Sequence, residues 1–233
     1  MPTDRLTANI KPVAPFNFEL TAGYHTYFQS RYGTDTMEDG VYRRLLDLDD
    51  KLVLAKVRSV GTVDAPELSM ELQGTELGTE DVDLAKSRVS WLLGVDQDLA
   101  PFYELGRADT AMAGLVEEFY GLHVPHTATV FEALILAVLG QQISTKVARI
   151  IRILLIETFG PSAEFDGETH YAFPKPKTIW ASSPDELHTM KLTQRKSEYV
   201  HGLAGMALDT AVKLEQMGEL TDKEIIDKLT SLR

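Results

Sequence analysis

AVLGQQISTKVARIIRILLIETFG, residues 137–160, is an apolar helical run broken by one glycine and two adjacent glutamines. Upstream, TVFEALILAVLG reads as a buried helix ending at Gly140. Downstream, apolar residues recur at Ile143, Val147, Ile150, Ile151, Leu154 and Leu155, the spacing of a helix with one core face. Gly160-Pro161 ends that helix. Gly140-Gln141-Gln142 thus divides two helices that would otherwise pack as one. A glutamine amide carries both donors and acceptors, so the pair has two readings. It is a polar corner whose amides cap exposed backbone groups, or it protrudes from a rigid scaffold to engage another molecule.

Beyond the second helix, PSAEFDGETHYAFPKPK (161–177) reads as a loop rich in proline and aromatics. In SSPDEL, Ser183 is an N-cap, Pro184 takes the first helical position and Glu186 the third. A longer helix follows from Thr193 and another from Thr221, the latter with Glu224 at the capping-box position. Arg195 and Lys196 fall in the first turn after Thr193, where the helix dipole disfavours cations by roughly 0.3–1 kcal/mol. A phosphate arriving there would meet backbone N–H groups and two cations; otherwise this is a solvated basic turn partly balanced by Glu198. Lys146 either adds a phosphate contact or is an ordinary exposed lysine.

Toward the N-terminus the periodicity changes. ELSMELQ (67–73) alternates Leu68, Met70 and Leu72 with polar residues, the pattern of a half-buried strand. VYRRLLDLDD and KLVLAKVRSVG (41–61) read as a hairpin turning at Asp49-Asp50. FNFELT (16–21) reads as a further strand, followed by a helix through GYHTYFQSRYG. TEDVDLAKSRVSWLLGV (79–95) is a helix capped by Thr79 that stops near Gly94, and residues 95–122 read as short helices broken at Pro101 and Gly106. The fold class is α+β, with a small antiparallel sheet domain over 1–80 and a helical domain over 81–233.

The 233 residues suffice for two such domains. No apolar run reaches the roughly 18 residues of a membrane span, because Arg149 and Arg152 interrupt the longest one. The N-terminus lacks the apolar core of a signal peptide, and a cytoplasmic location is expected. With no cysteine, disulfides, thiolate catalysis and Cys-bound metal are excluded. The net charge of −12 argues against a non-specific DNA coat. The acid is uneven, however: residues 34–83 hold thirteen Asp/Glu against five Lys/Arg, whereas 141–160 hold three Lys/Arg against one Glu. A locally basic contact surface is compatible with that distribution.

VFEALILAVLGQQISTKVA, with FPKP…SSPDELHTMKLTQRKSEYVHGLAGMALD, closely resembles the bacterial 3-methyladenine DNA glycosylase II family of helix-hairpin-helix glycosylases. The likeness extends upstream through DQDLAPFYELGRADTAMAGLVEEFYGL and more loosely to PFNFELTAGYHTYF. It implies a partner, double-stranded DNA with damaged bases, and an activity, flipping an alkylated purine and hydrolysing its N-glycosidic bond without cofactor or catalytic metal. Gln142 matches the wedge that fills the vacated stack, with Gln141 beside it. Arg195 and Lys196 match a loop supporting the opposing strand, and Tyr24 an aromatic near the base pocket, unless Tyr24 is a core residue of its helix.

The resemblance also implies that the helical domain lacks its C-terminal part. In the family, LTSLR leads into a glycine-rich hairpin, then pocket aromatics and the essential aspartate, all beyond Arg233. Asp185, Asp209 and Asp227 do not match that aspartate and read as helix-surface or capping residues. Residues 1–233 alone are therefore expected to lack glycosylase activity, as an interrupted form of an active enzyme. Trp91, Leu92 and Leu93 are expected to be exposed unless a dimer covers them. The alternatives are a catalytically inactive DNA-binding or scaffolding protein of the same fold, and an acidic helical interaction module whose glutamines merely cap helices.

Overall fold

The computed structural model describes residues 3–210, 212 and 214–230. By its internal contacts the chain separates into a unit of residues 1–126 with 161–172 and a second of 127–160 with 173–233. The division expected at residue 80 follows the change from strands to helices instead. The contacts group the helices between 79 and 118 with the sheet.

In the first unit, β1 (Asp4–Ile10), β2 (Arg31–Tyr32), β3 (Asp35–Glu38), β4 (Val41–Leu48), β5 (Lys51–Ser59) and β6 (Leu68–Gly74) form one antiparallel sheet. Its order is β1-β6-β5-β4-β3-β2. Leu68, Met70 and Leu72 are fully buried, as their alternation requires. The β4–β5 hairpin turns at Asp49 and Asp50, both left-handed (φ 52° and 74°), the twist a two-residue hairpin favours. At the far side of the sheet, buried Asp35 accepts hydrogen bonds from Arg44 (2.9 Å), Thr34 (3.0 Å) and the Tyr42 hydroxyl (2.5 Å). Burial, then the Asp35 charge, pushes the Tyr42 phenol well above its ordinary value.

Several expectations are corrected here. FNFELT is not a strand: the Asn17 side chain accepts the Leu20 N–H (3.1 Å) and starts helix α1 (Phe18–His25). That helix stops at His25, and the rest of GYHTYFQSRYG turns through left-handed Tyr27 and Phe28 into β2. The loop at 161–177 contains a hairpin, β7 (Ser162–Phe165) and β8 (Glu168–Tyr171), closed by Asp166-Gly167. Phe165 packs with Leu45 and Leu54, and the Asp166 carboxylate accepts from Arg5 (2.7 Å), Gln73 (3.2 Å) and Lys56.

Helix α2 (Thr79–Leu92) is capped by Gly78 rather than Thr79: the Gly78 N–H donates to the Asp81 carboxylate at 2.8 Å. Trp91 is 56% exposed and stacks on His126, but Leu92 and Leu93 are fully buried, so only one of the three expected apolar residues faces outward. Helix α3 (Ala100–Ala108) begins with Pro101 in its first turn and runs through Gly106. It is not broken there; the glycine gives room to Val116 of α4 (Ala113–Glu118), which lies 2.4 Å from where a Cβ would stand.

The second unit is helical: α5 (Val130–Gly140), α6 (Thr145–Phe159), α7 (Pro176–Trp180), α8 (Pro184–His188), α9 (Gln194–Leu208), a 3-10 turn (Leu214–Glu219) and α10 (Asp222–Thr230). Ile135, Leu139, Ile151, Leu155, Ile179, Leu187 and Val200 meet in its core. The caps at Ser183, Thr193 and Thr221 stand where the sequence puts them. The core face of α6 is rotated from the expected one. Ala148, Ile151, Arg152, Leu155, Ile156 and Phe159 point inward, leaving Val147 and Ile150 exposed and Ile143 outside the helix. Ser144 starts the helix by accepting the Val147 N–H, and buried Arg152 lies 3.7 Å from buried Glu132. No helix among the described residues is long and apolar enough to cross a membrane.

Candidate functional site

Helix α5 buries one face, Phe131, Glu132, Ile135 and Leu139, and ends at exposed Gly140. Gly140 is helical, and a Cβ there would meet open space, so the glycine is not what turns the chain. The turn lies one and two residues later. Gln141 leaves the helix with φ −59° and ψ 133°, and Gln142 adopts left-handed φ 56°. Ser144 returns to extended backbone and starts α6. Both glutamine side chains are exposed. A left-handed glutamine costs roughly 1–2 kcal/mol against a right-handed one, so the surrounding structure must hold it.

The end of α5 leaves carbonyls without helical partners. Half-buried Lys196 fills that need: its Nζ donates to Leu139 O (3.0 Å) and to Gln141 O (2.7 Å). Burial holds this amine below the usual lysine range. Thr193 caps the N-terminus of α9 by accepting the Lys196 N–H, and buried Ser197 donates to Thr193 O (3.2 Å), so the first turn of α9 is itself fixed. At the opposite end of α5, the Glu215 carboxylate accepts from the Val130 (2.7 Å) and Phe131 (3.0 Å) N–H groups. An anion thus sits at the positive end of the α5 dipole and a cation at its negative end.

The other expected site residues fall as follows. Arg195 is exposed; its Nε donates to the Tyr199 hydroxyl (2.7 Å) and its guanidinium lies 5.4 Å from that ring's centroid. Lys146 is exposed in the first turn of α6. Tyr24 belongs to the sheet unit, is 46% exposed and stacks on Tyr27 at 5.9 Å; it is not a core residue of α1. Asp185, Asp209 and Asp227 are exposed, Asp185 in the first turn of α8 and Asp209 at the end of α9. Gln141, Gln142 and Lys196 therefore meet at one corner, with Arg195 adjacent along α9. Two contributors were missed. Tyr199 stands four residues after Arg195, a helical-neighbour signal present in the sequence. Glu215 lies 85 residues from Val130 and carries no local signal.

Charge separates along the same lines. The helical unit holds twelve Lys/Arg and eleven Asp/Glu, the sheet unit eleven and twenty-four. The acidic excess of the chain lies entirely in the sheet unit.

No family model matches the chain. It is 34% identical over 139 residues to a DNA-3-methyladenine glycosylase of Bacillus subtilis (strain 168), a match covering 60% of this chain and 46% of that protein. It is 28% identical over 203 residues to a probable bifunctional transcriptional activator/DNA repair enzyme AlkA of Mycobacterium tuberculosis, covering 87% of this chain and 39% of that one. The chain thus spans less than half the length of these relatives. Among solved structures, a 3-methyladenine DNA-glycosylase from Archaeoglobus fulgidus superposes with a TM-score of 0.82 at 24% identity, covering 97% of this chain and 74% of that one. The chain is thus similar over part of its length to a DNA-3-methyladenine glycosylase and shares the α+β fold of a solved 3-methyladenine DNA-glycosylase.

Proposed function

We propose that this chain is the DNA-gripping part of a base-excision repair glycosylase that releases alkylated purines from duplex DNA. The observation that carries the reading is the Gln141-Gln142 corner: two exposed amides on a left-handed turn, held from behind by Lys196. An enzyme acting on a base within a duplex must first unstack it, at a cost of a few kcal/mol. A side chain that enters the vacated space offsets part of that cost. Gln142 is suited to this, because its amide can donate and accept toward the base left unpaired. Arg195 and Lys146, in the first turns of α9 and α6, are suited to flanking phosphates, which the helix N-termini also favour. Within the sheet unit, Tyr24 is exposed and stacked on Tyr27, an aromatic suited to stacking on a base.

Departure of the base leaves oxocarbenium-like charge on the sugar, which a fixed carboxylate stabilises while orienting water. An alkylated purine is cationic and already a good leaving group. The family likeness assigns the carboxylate to a position beyond Arg233, and Asp185, Asp209 and Asp227 are surface residues without that role. We therefore expect residues 1–233 to bind damaged duplex without turnover. Incubating the purified chain with methylated duplex DNA and counting abasic sites tests this: no release above buffer is expected, and clear turnover overturns it. Tight, salt-dependent binding with turnover absent even in a longer chain would favour the catalytically inactive binding protein.

A further inference from the structure

Arg195 and Lys196 are neighbours of like charge at one helix start, yet the structure treats them differently. Arg195 is exposed and braced by Tyr199. Lys196 is half-buried and already donates to two carbonyls, one on each side of Gly140. Helices commonly end on a glycine in the left-handed conformation, which satisfies the last carbonyls through backbone N–H groups. Here Gly140 lies within the helix, and the left-handed position falls on Gln142. The backbone repair that glycine ordinarily permits is supplied by a side chain from another helix. Resting on the DNA reading above, we infer that Lys196 is a positioning residue: its ammonium clasps the end of α5 to α9 and thereby fixes Gln142 in its protruding turn, while Arg195 takes the phosphate contact.

The two roles leave different marks on binding. Each phosphate contact contributes about 0.9 to the slope of log affinity against log salt for duplex DNA. A clasp contributes to the preference for a duplex with a vacancy and not to that slope. Arginine preserves charge but is a planar fork, poorly shaped to place one point donor between two carbonyls.

The experiment uses fluorescence anisotropy with the 233-residue chain and two duplexes, one intact and one with a single tetrahydrofuran abasic analogue, titrated at several salt concentrations. R195Q is expected to lower the salt slope by about 0.9 and keep the abasic preference. K196M and K196R are expected to keep the slope and to lose the preference by roughly tenfold, the size expected for hydrogen bonds from a charged donor. Combining K196M with Q142A should add little to either alone, since both act through one side chain. Because K196M removes a half-buried contact, hydrogen exchange in the free protein supplies a reading independent of DNA. Faster exchange confined to residues 140–143, with the rest of the helical unit unchanged, supports the clasp. If K196R retains the full preference, or K196M lowers the slope by one contact and spares the preference, the positioning role is overturned while the DNA reading stands. A wild-type chain that does not distinguish the two duplexes overturns the DNA reading itself.

Discussion

The two units handle charge differently. The sheet unit is strongly acidic, yet it buries an ion pair: Asp35 accepts from Arg44, Thr34 and Tyr42. The helical unit is close to neutral, and two of its charges, Glu215 and Lys196, hold the two termini of α5. A net charge of −12 therefore describes neither unit, and taken alone it misleads about which surface suits a polyanion. Each unit buries an ion pair, and in the helical unit charged side chains also hold backbone groups at helix ends.

Breaking the Asp35–Arg44 pair gives the largest expected effect. Asp35→Ala removes the carboxylate that buried Arg44 contacts at 2.9 Å, a loss of about 3–5 kcal/mol. Chemical denaturation followed by circular dichroism checks this, and a loss below 1 kcal/mol would mean that water reaches the pair. Truncating the core that supports the helical corner is next: Leu139→Ala should cost about 2–5 kcal/mol, with weaker abasic-duplex binding even where the chain is folded.

Acid sharpens the contrast. The Gly78 N–H and then Lys51 hold the Asp81 carboxylate below its ordinary range, and Lys56 and then Gln73 do the same for Asp166; both residues lie in the sheet unit. A lowered folded-state value means their stabilisation is complete above the unfolded carboxylate value of about 4 and is lost as pH falls through the folded one. The denaturation midpoint of the sheet unit should therefore drop below about pH 4, and Asp166→Asn should flatten part of that drop. A wild-type profile unchanged down to pH 3 would contradict the assignment.

The smallest effects separate stability from orientation. Gln142→Gly relieves a left-handed residue and should stabilise the fold by up to about 1 kcal/mol while removing the amide. Gly140→Ala, with open space around the new methyl group, should also stabilise by roughly 0.5–1 kcal/mol. Thermal melts of both variants decide; destabilisation by Gly140→Ala would mean that the glycine is needed for close backbone approach.

Signals local in the chain were legible. The alternation of Leu68, Met70 and Leu72, the Asp49-Asp50 turn and the caps at Ser183, Thr193 and Thr221 each depend on a few neighbouring residues, and they appear as the sequence implies. Phe16–Thr21 was misjudged because β propensity outweighed one Asn cap, and the Asp166-Gly167 hairpin because proline and aromatics obscured a two-residue turn signal. Of the corner, the glutamines were visible as an interruption in an apolar run. Their support was not, since Lys196 reaches Gln141 across 55 residues and Glu215 reaches Val130 across 85. Such partners are set by how helices pack, which periodicity does not encode.

The most direct test of the account is the affinity of the wild-type chain and of Gln142→Ala for the abasic-analogue duplex at one fixed salt concentration. Wild type should prefer that duplex over an intact one, and the variant should bind both alike, with its affinity for intact duplex unchanged. Equal preference in the two proteins would contradict the claim that the exposed amide at position 142 enters the duplex.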